Sequence, residues 1–242
     1  MKQFVIANWK LYVSAHKCLD FLDELLLWEE THPWNSSLEL IIAPPVLALS
    51  DLAGRMKSAR RSHIKLAAQD IGIADEGAFT GSVSPRDVAR LGVQYAIVGH
   101  SERRQYYAED TLLCKKKIAA AHAVGLGVIY CVGETKHERH EGRAQEIVRE
   151  QIRGVEAEII AYEPRWAIGT GIPIEPSEAQ SMHAFIMHEL RGASAVCYGG
   201  SVSVENVSAF MRLDVTRGVL IGSASTKLKS LCAILSRVEK IL

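Results

Sequence analysis

The chain has 242 residues, with 28 Lys and Arg against 28 Asp and Glu, and a formal net charge of zero. A balanced field exerts no pull toward nucleic acid or an anionic membrane, and the length fits one large domain with a sizeable core or two small ones. The five cysteines are odd in number, scattered and without a CxxC pair, which argues against a disulfide or zinc framework and for reduced thiols in the cytoplasm.

The first residues run into an apolar stretch, FVIANWK (4–10), without the charged segment, long apolar run and cleavage site of a secretory leader. No window approaches the uninterrupted apolar length of a membrane span. Short runs rich in Ile and Val recur at residues 4–7, 40–43, 64–67, 95–98, 128–132, 159–162, 195–197 and 218–221. Apart from Lys65 they are apolar throughout, as strands covered on both faces should be.

Helical patterns lie between them. SAHKCLDFLDELLLWEE (14–30) opens on a capping Ser14 and repeats large apolar residues at helical spacing. DTLLCKKKIAAAHAVG (110–125) stops on Gly125, and PSEAQSMHAFIMHEL (176–190) starts on a proline and ends near Arg191 and Gly192. The basic stretch KSARRSHIK (57–65) reads as a solvated helix end or loop. Alternation over the whole length predicts an α/β fold with parallel strands, and eight strand candidates favour a closed (β/α)8 barrel over an open sheet. Without a linker or composition break, residues 1–242 read as a single barrel domain.

In such barrels the reactive groups follow the C-terminal ends of the strands. Those positions hold Asn8 and Lys10, then His100 and Glu102, then Cys131 and Glu134, then Glu163, and finally the glycine turns YGGSV (198–202) and IGSAS (221–225). A glycine turn leading into a helix offers free amides to a phosphate. The convergence of acid, imidazole and ammonium points to acid–base chemistry on a small phosphorylated substrate. Taken singly, each group has a plainer role. A strand-end Glu is more often an ion-pair partner than a base. Cys131 reads as a packed thiol, His183 and His188 as packing or surface residues of a helix. HERHE (137–141) lacks the HExxH order and reads as a solvated helix start.

The motifs NWK, AAQD, GAFTGSVSP, VGHSERR, CVGET, AYEPRWAIGTG, YGGSV and GVLIGSAS, in that order over nearly the whole chain, resemble those of the triosephosphate isomerase family. The resemblance implies a TIM barrel that interconverts D-glyceraldehyde 3-phosphate and dihydroxyacetone phosphate in glycolysis and gluconeogenesis, with no metal or organic cofactor. It implies that Glu163 is the base, His100 the neutral electrophile and Lys10 the positive charge beside the enediolate, with Asn8 lining the site and Glu102 beside Lys10. It assigns Gly169, Ser201, Gly222 and Ser223, together with Asn8 and Lys10, to substrate and phosphate binding. It makes residues 164–166 and 170–172 the hinges of a lid whose tip is 167–169. It also implies a homodimer through the loop around Thr80, which reaches the neighbour's Lys10.

Several positions depart from that pattern. Ser223 stands where a second glycine is usual, Ile172 where a lysine is usual, Ser82 for an acidic residue, Asp70 for an asparagine and Tyr12 for an asparagine. The stretch between Cys131 and Glu163 is short, so the helix after the fifth strand should be trimmed or its connection tightened. Two rivals remain: an isomerase of a longer sugar phosphate, which would share the base and electrophile, and a barrel that binds phosphates without turnover.

Overall fold

The computed structural model describes residues 2–32, 34–59, 63–169, 171–190 and 195–242. Eight parallel strands close into a barrel in sequence order. They are β1 (Gln3–Asn8), β2 (Leu38–Ala43), β3 (Ile64–Ala68), β4 (Tyr95–Val98), β5 (Gly127–Val132), β6 (Ile159–Tyr162), β7 (Ala195–Tyr198) and β8 (Thr216–Ile221). Every run read as a strand from the sequence is one, with ends extended by at most two residues.

Helices α1 (Ala15–Thr31), α2 (Val46–Ser58), α3 (Pro85–Leu91), α4 (Ser101–Tyr106), α5 (Thr111–Ala123), α6 (Lys136–His140), α7 (Ala144–Ile152), α8 (Pro176–Glu189), α9 (Val207–Met211) and α10 (Leu228–Glu239) lie between and after the strands. Their ends follow local chemistry. Asp110 accepts from the Leu113 N–H at 2.7 Å to start α5, and Gly125 takes the left-handed conformation behind it. Ser14 occupies the cap of α1 without a side-chain bond; its carbonyl accepts from the Lys17 N–H instead. The sequence placed the end of α8 near Arg191 and Gly192; these lie outside the described residues, and α8 itself ends at Glu189. The short β5–β6 connection is filled by α6 and α7, of five and nine residues.

Side chains alternate across the barrel wall, as the two-residue period of a strand requires. Phe4, Ile6, Ile41, Ala67, Ile97, Ile129, Ile159, Cys197 and Leu220 fill the interior. Val5, Leu40, Leu66, Val98, Tyr130 and Val219 face the helix layer. At the N-terminal end of the barrel, buried Glu39 accepts from Tyr95 Oη at 2.8 Å and pairs with Lys2 at 2.7 Å. The other end carries the loops that follow the strands, and the polar candidates sit there.

Candidate active site

Asn8 is the last residue of β1 and is buried. Its Oδ1 accepts from the Lys10 N–H at 3.0 Å. Lys10 has φ +47°, a left-handed conformation that costs a residue bearing a Cβ on the order of 1–3 kcal/mol. Two further bonds hold it there: Gln69 Nε2 donates to the Lys10 carbonyl at 3.0 Å and to the Ala43 carbonyl at 2.9 Å. This bent backbone directs Lys10 Nζ to Glu102 Oε1, 2.7 Å away.

His100 caps α4 and is buried. Its Nδ1 accepts from the Glu102 N–H at 3.2 Å, so the ring proton belongs on Nε2. Nε2 lies 3.2 Å from Glu163 Oε1. The α4 amides that select this tautomer also form the positive end of the helix.

Glu163 follows β6 directly and is 1 % exposed. Its N–H donates to the Val132 carbonyl at 2.7 Å, and its Oε2 accepts from the Ser101 N–H at 3.0 Å. The other oxygen, Oε1, has no well-directed hydrogen bond; its contact with the imidazole is poorly aligned. Two glycines allow the chain this close approach. A Cβ on Gly133 would fall 1.9 Å from the Glu163 carbonyl oxygen, and one on Gly199 would fall 2.7 Å from Glu163 Cγ. Cys131 is fully buried and, as read, a packed thiol; burial first, then the Glu163 carboxylate, raises it well above the ordinary thiol range.

Asn8, Lys10, Glu102, His100 and Glu163 thus form one continuous chain of contacts at the C-terminal end of the barrel. Gly222 joins it, since a Cβ there would lie 3.4 Å from Lys10 Cε. Ser201 meets the segment after β6 instead: its hydroxyl donates to the Ala167 carbonyl at 2.7 Å. Gly169 and Ser223 are exposed. Ser223 begins a short helical turn, Ser223–Thr226, that separates the β8 turn from α10. The free amides after β8 therefore belong to this turn, not to the last helix as the sequence reading has it. Ser223 is also absent from the left-handed residues, so its Cβ forces no strain.

The segment that the sequence reading makes a lid begins with Pro164 and a helical turn, Arg165–Ala167. Gly169 and Gly171 are left-handed at φ +72° and +76°; Thr170, expected in the second hinge, lies outside the described residues. Glu134, a polar group with no role in the sequence reading, anchors this segment. It is fully buried and accepts from Trp166 Nε1 at 3.2 Å, Tyr162 Oη at 3.1 Å and Arg139 at 3.2 Å, while its carbonyl accepts from the Arg165 N–H. At the lid's far end the Ile174 N–H donates to Tyr198 Oη at 3.2 Å. HERHE is not only a helix start: it makes up all of the five-residue α6 after Lys136 together with its C-terminal cap, Glu141; the helix is capped reciprocally by Thr135 and Glu138 and has no buried residue. Among the described residues no group of His, Cys, Asp or Glu is arranged as a metal site. No described helix is long and apolar enough to cross a membrane.

A second cluster, behind His100, was not read from the sequence. Lys117 pairs with Asp70 at 2.5 Å and with Glu109 at 2.8 Å, and Arg103 pairs with Asp70 at 2.8 Å and Glu109 at 2.7 Å. Burial would push Glu109 up, but Lys117 and then Arg103 outweigh it and hold its carboxyl below the usual range. Burial raises Asp70, against the pull of Lys117. Beside the cluster is a groove of about 1060 Å³, lined by Asn8, Lys10, His100 and Glu102 at one end and by Asp70, Arg103 and Lys117. Leu11, Tyr12, Leu47, Phe79, Tyr106 and Tyr107, also along it, are exposed.

A family model described as Triosephosphate isomerase matches residues 3–238. The triosephosphate isomerase of Thermodesulfovibrio yellowstonii is 39% identical over 241 residues, covering 93% of this chain and 94% of the relative. That of Aquifex aeolicus is 37% identical over 249 residues, covering 97% and 98%. That of Geobacter metallireducens is 38% identical over 250 residues, covering 96% and 97%.

Proposed function

The chain belongs to the triosephosphate isomerase family, and from that premise we propose that it interconverts D-glyceraldehyde 3-phosphate and dihydroxyacetone phosphate with Glu163 as base and His100 as electrophile. The observation that carries the assignment is the 3.2 Å approach of His100 Nε2 to Glu163 Oε1, with Nδ1 already engaged by the Glu102 amide. A neutral imidazole with its proton on Nε2 and a carboxylate with one oxygen free of a full partner are what a proton shift between adjacent carbons requires.

The proton leaves the carbon beside the carbonyl and goes to a Glu163 oxygen. The electron pair moves onto the carbonyl oxygen, giving an enediolate. His100 Nε2–H donates to that oxygen, and Lys10 supplies positive charge next to it. Donors preplaced where charge develops lower the barrier more than groups that must reorganise. Glu163 then returns the proton to the neighbouring carbon, while the hydroxyl proton of the enediolate passes from one substrate oxygen to the other by way of His100 Nε2, so that the carbonyl reappears one carbon along. Asn8 acts through Lys10, whose strained backbone it holds. Gly169, Ser201, Gly222 and Ser223 hold the phosphate, and the lid excludes water while the enediolate exists. Its base-side hinge adjoins Glu163, so a single motion moves both.

The groove supports a homodimer. Apolar side chains exposed along one concave face mark an interaction surface. The occupant is the loop around Thr80 of a second copy, and the groove's continuity with Lys10 and His100 brings that loop to the substrate. Residues 1–242 act as one domain in this reading. Five unpaired cysteines, four of them buried, support a cytoplasmic location.

A coupled isomerase assay tests the reading directly. Turnover of triose phosphates, with kcat/KM well above that on four-carbon phosphates, is expected. Absence of turnover, or preference for the longer substrate, would sink it.

A further inference from the structure

Arg104 lies half-buried behind the site, its guanidinium turned inward onto β4 and β5, and it pairs with no carboxylate among the described residues. Its three acceptors are neutral. Nε donates to the Gly99 carbonyl at 2.8 Å, and one terminal nitrogen donates to Tyr130 Oη at 3.1 Å and to the Cys131 carbonyl at 3.2 Å. Withdrawing a cation from water without a counter-charge is costly, so the bonds it makes are worth tracing.

Each leads to a reactive group. Gly99, left-handed at φ +71°, turns the chain from β4 into His100. The guanidinium packs against it so closely that a Cβ on Gly99 would fall 2.8 Å from Arg104 and 2.9 Å from Cys114 Sγ. On the other side, Cys131 precedes Val132, whose carbonyl accepts from the Glu163 N–H at 2.7 Å. Tyr130 Oη passes the connection on, donating to the Gln151 carbonyl at 3.0 Å. The Gln151 side chain accepts from the Gly133 N–H at 2.8 Å and donates to the Gly133 carbonyl at 3.2 Å. Gly133 is the glycine pressed against the Glu163 backbone.

We propose that Arg104 is a positioning residue for the isomerase reaction: its planar fork ties the Gly99 carbonyl to the Cys131 carbonyl and so sets the spacing between His100 and Glu163. The inference rests on the roles given above to those two residues. A rigid guanidinium bridges two strands with less loss of rotamer freedom per bond than a flexible ammonium. None of these atoms belongs to the residues assigned to the phosphate, so the effect belongs in kcat.

The test is steady-state kinetics of Arg104→Gln and Arg104→Lys, with thermal unfolding followed in parallel. Displacing reacting groups by about 1 Å can cost ~10²-fold. We expect Arg104→Gln to lower kcat by at least about 10-fold with KM within about twofold, and Arg104→Lys to fall between it and wild type. Wild-type kcat in Arg104→Gln, a KM that rises in step with the loss, or a Lys variant no better than the Gln variant would overturn the proposal. If Arg104→Gln does not fold, Tyr130→Phe decides: a lowered kcat at constant KM supports it, an unchanged kcat overturns it. A wild-type protein without turnover would instead refute the assignment of Glu163 and His100.

Discussion

The Ser101 N–H donates to Glu163 Oε2 at 3.0 Å, so the carboxylate rests on the first amide of α4. A glutamine at 163 has an oxygen that can accept the same bond. Glu163→Gln should therefore keep the geometry and lose the chemistry. The expected fall in kcat is about 10²–10⁴-fold, the range for removal of a general base, with circular dichroism and the unfolding midpoint unchanged. Activity comparable to wild type would contradict the role of Glu163.

Beside the groove two cations, Arg103 and Lys117, are paired with two carboxylates, Asp70 and buried Glu109. Asp70 thus satisfies Arg103 within the chain, and Ser82, a neutral residue, lines the same groove. An added carboxylate at 82 meets a face already balanced. Ser82→Glu should weaken the proposed homodimer by roughly 10-fold at low salt, through like-charge juxtaposition. Asp70→Asn in the same chain should recover most of the loss. Sedimentation of the single and double variants checks this; a monomeric wild type at micromolar concentration would remove the dimer itself, and additive effects would remove the coupling.

Ala108 is left-handed at φ +51° in the loop between α4 and α5. An alanine is strained there and a glycine is not. Ala108→Gly should raise stability by about 1 kcal/mol, net of the added freedom of the unfolded chain, and leave kcat unaltered. Urea unfolding measures it, and a destabilised variant would show that the loop is not strained.

His183 is buried on α8, with Nδ1 2.7 Å from Thr216 Oγ1 and Nε2 without a partner. Burial lowers its pKa from 6.5 to about 3. Above pH 6.5 the imidazole is neutral in both folded and unfolded chains and contributes no slope. Below that, the unfolded chain takes up a proton that the folded one refuses, so stability falls with pH down to about 3, by up to about 1.4 kcal/mol per pH unit. Glu109, with its lowered pKa, adds to the loss only below the ordinary carboxylate value of about 4.5. Between pH 6.5 and 5, His183→Gln should flatten the dependence of the urea midpoint; an unchanged slope would place the titrating group elsewhere.

The barrel was legible because each strand carries a short apolar run covered on both faces, even where a polar residue such as Glu39 or Lys65 interrupts or flanks it. Tyr95–Val98 and Ile159–Tyr162 have the bounds read from the sequence. Lys10, His100 and Glu163 were legible because each follows such a run. What escaped depends on long-range pairing. Asp70 and Lys117 are 47 positions apart, and Lys117 ends a KKK run that looks solvated, although helical spacing turns that one residue inward to Glu109. Glu134 was seen as a polar strand end, but its hold on the lid needs Tyr162, Trp166 and Arg139 to converge on it. The helical turn Ser223–Thr226 before α10 carries no local signal that separates it from a helix start.

The tight seats at Gly133 and Gly199 imply an uneven tolerance of drift around Glu163. Any other side chain at either place would collide with Glu163 itself, and the nearest obstacle at 133 is main chain, which has no rotamer to swing aside. Exposed Gly54, on α2, obeys no such limit, since a Cβ there meets nothing within 4 Å. Under random mutagenesis with selection for growth on this activity, substitutions should accumulate at 54 while 133 and 199 stay fixed.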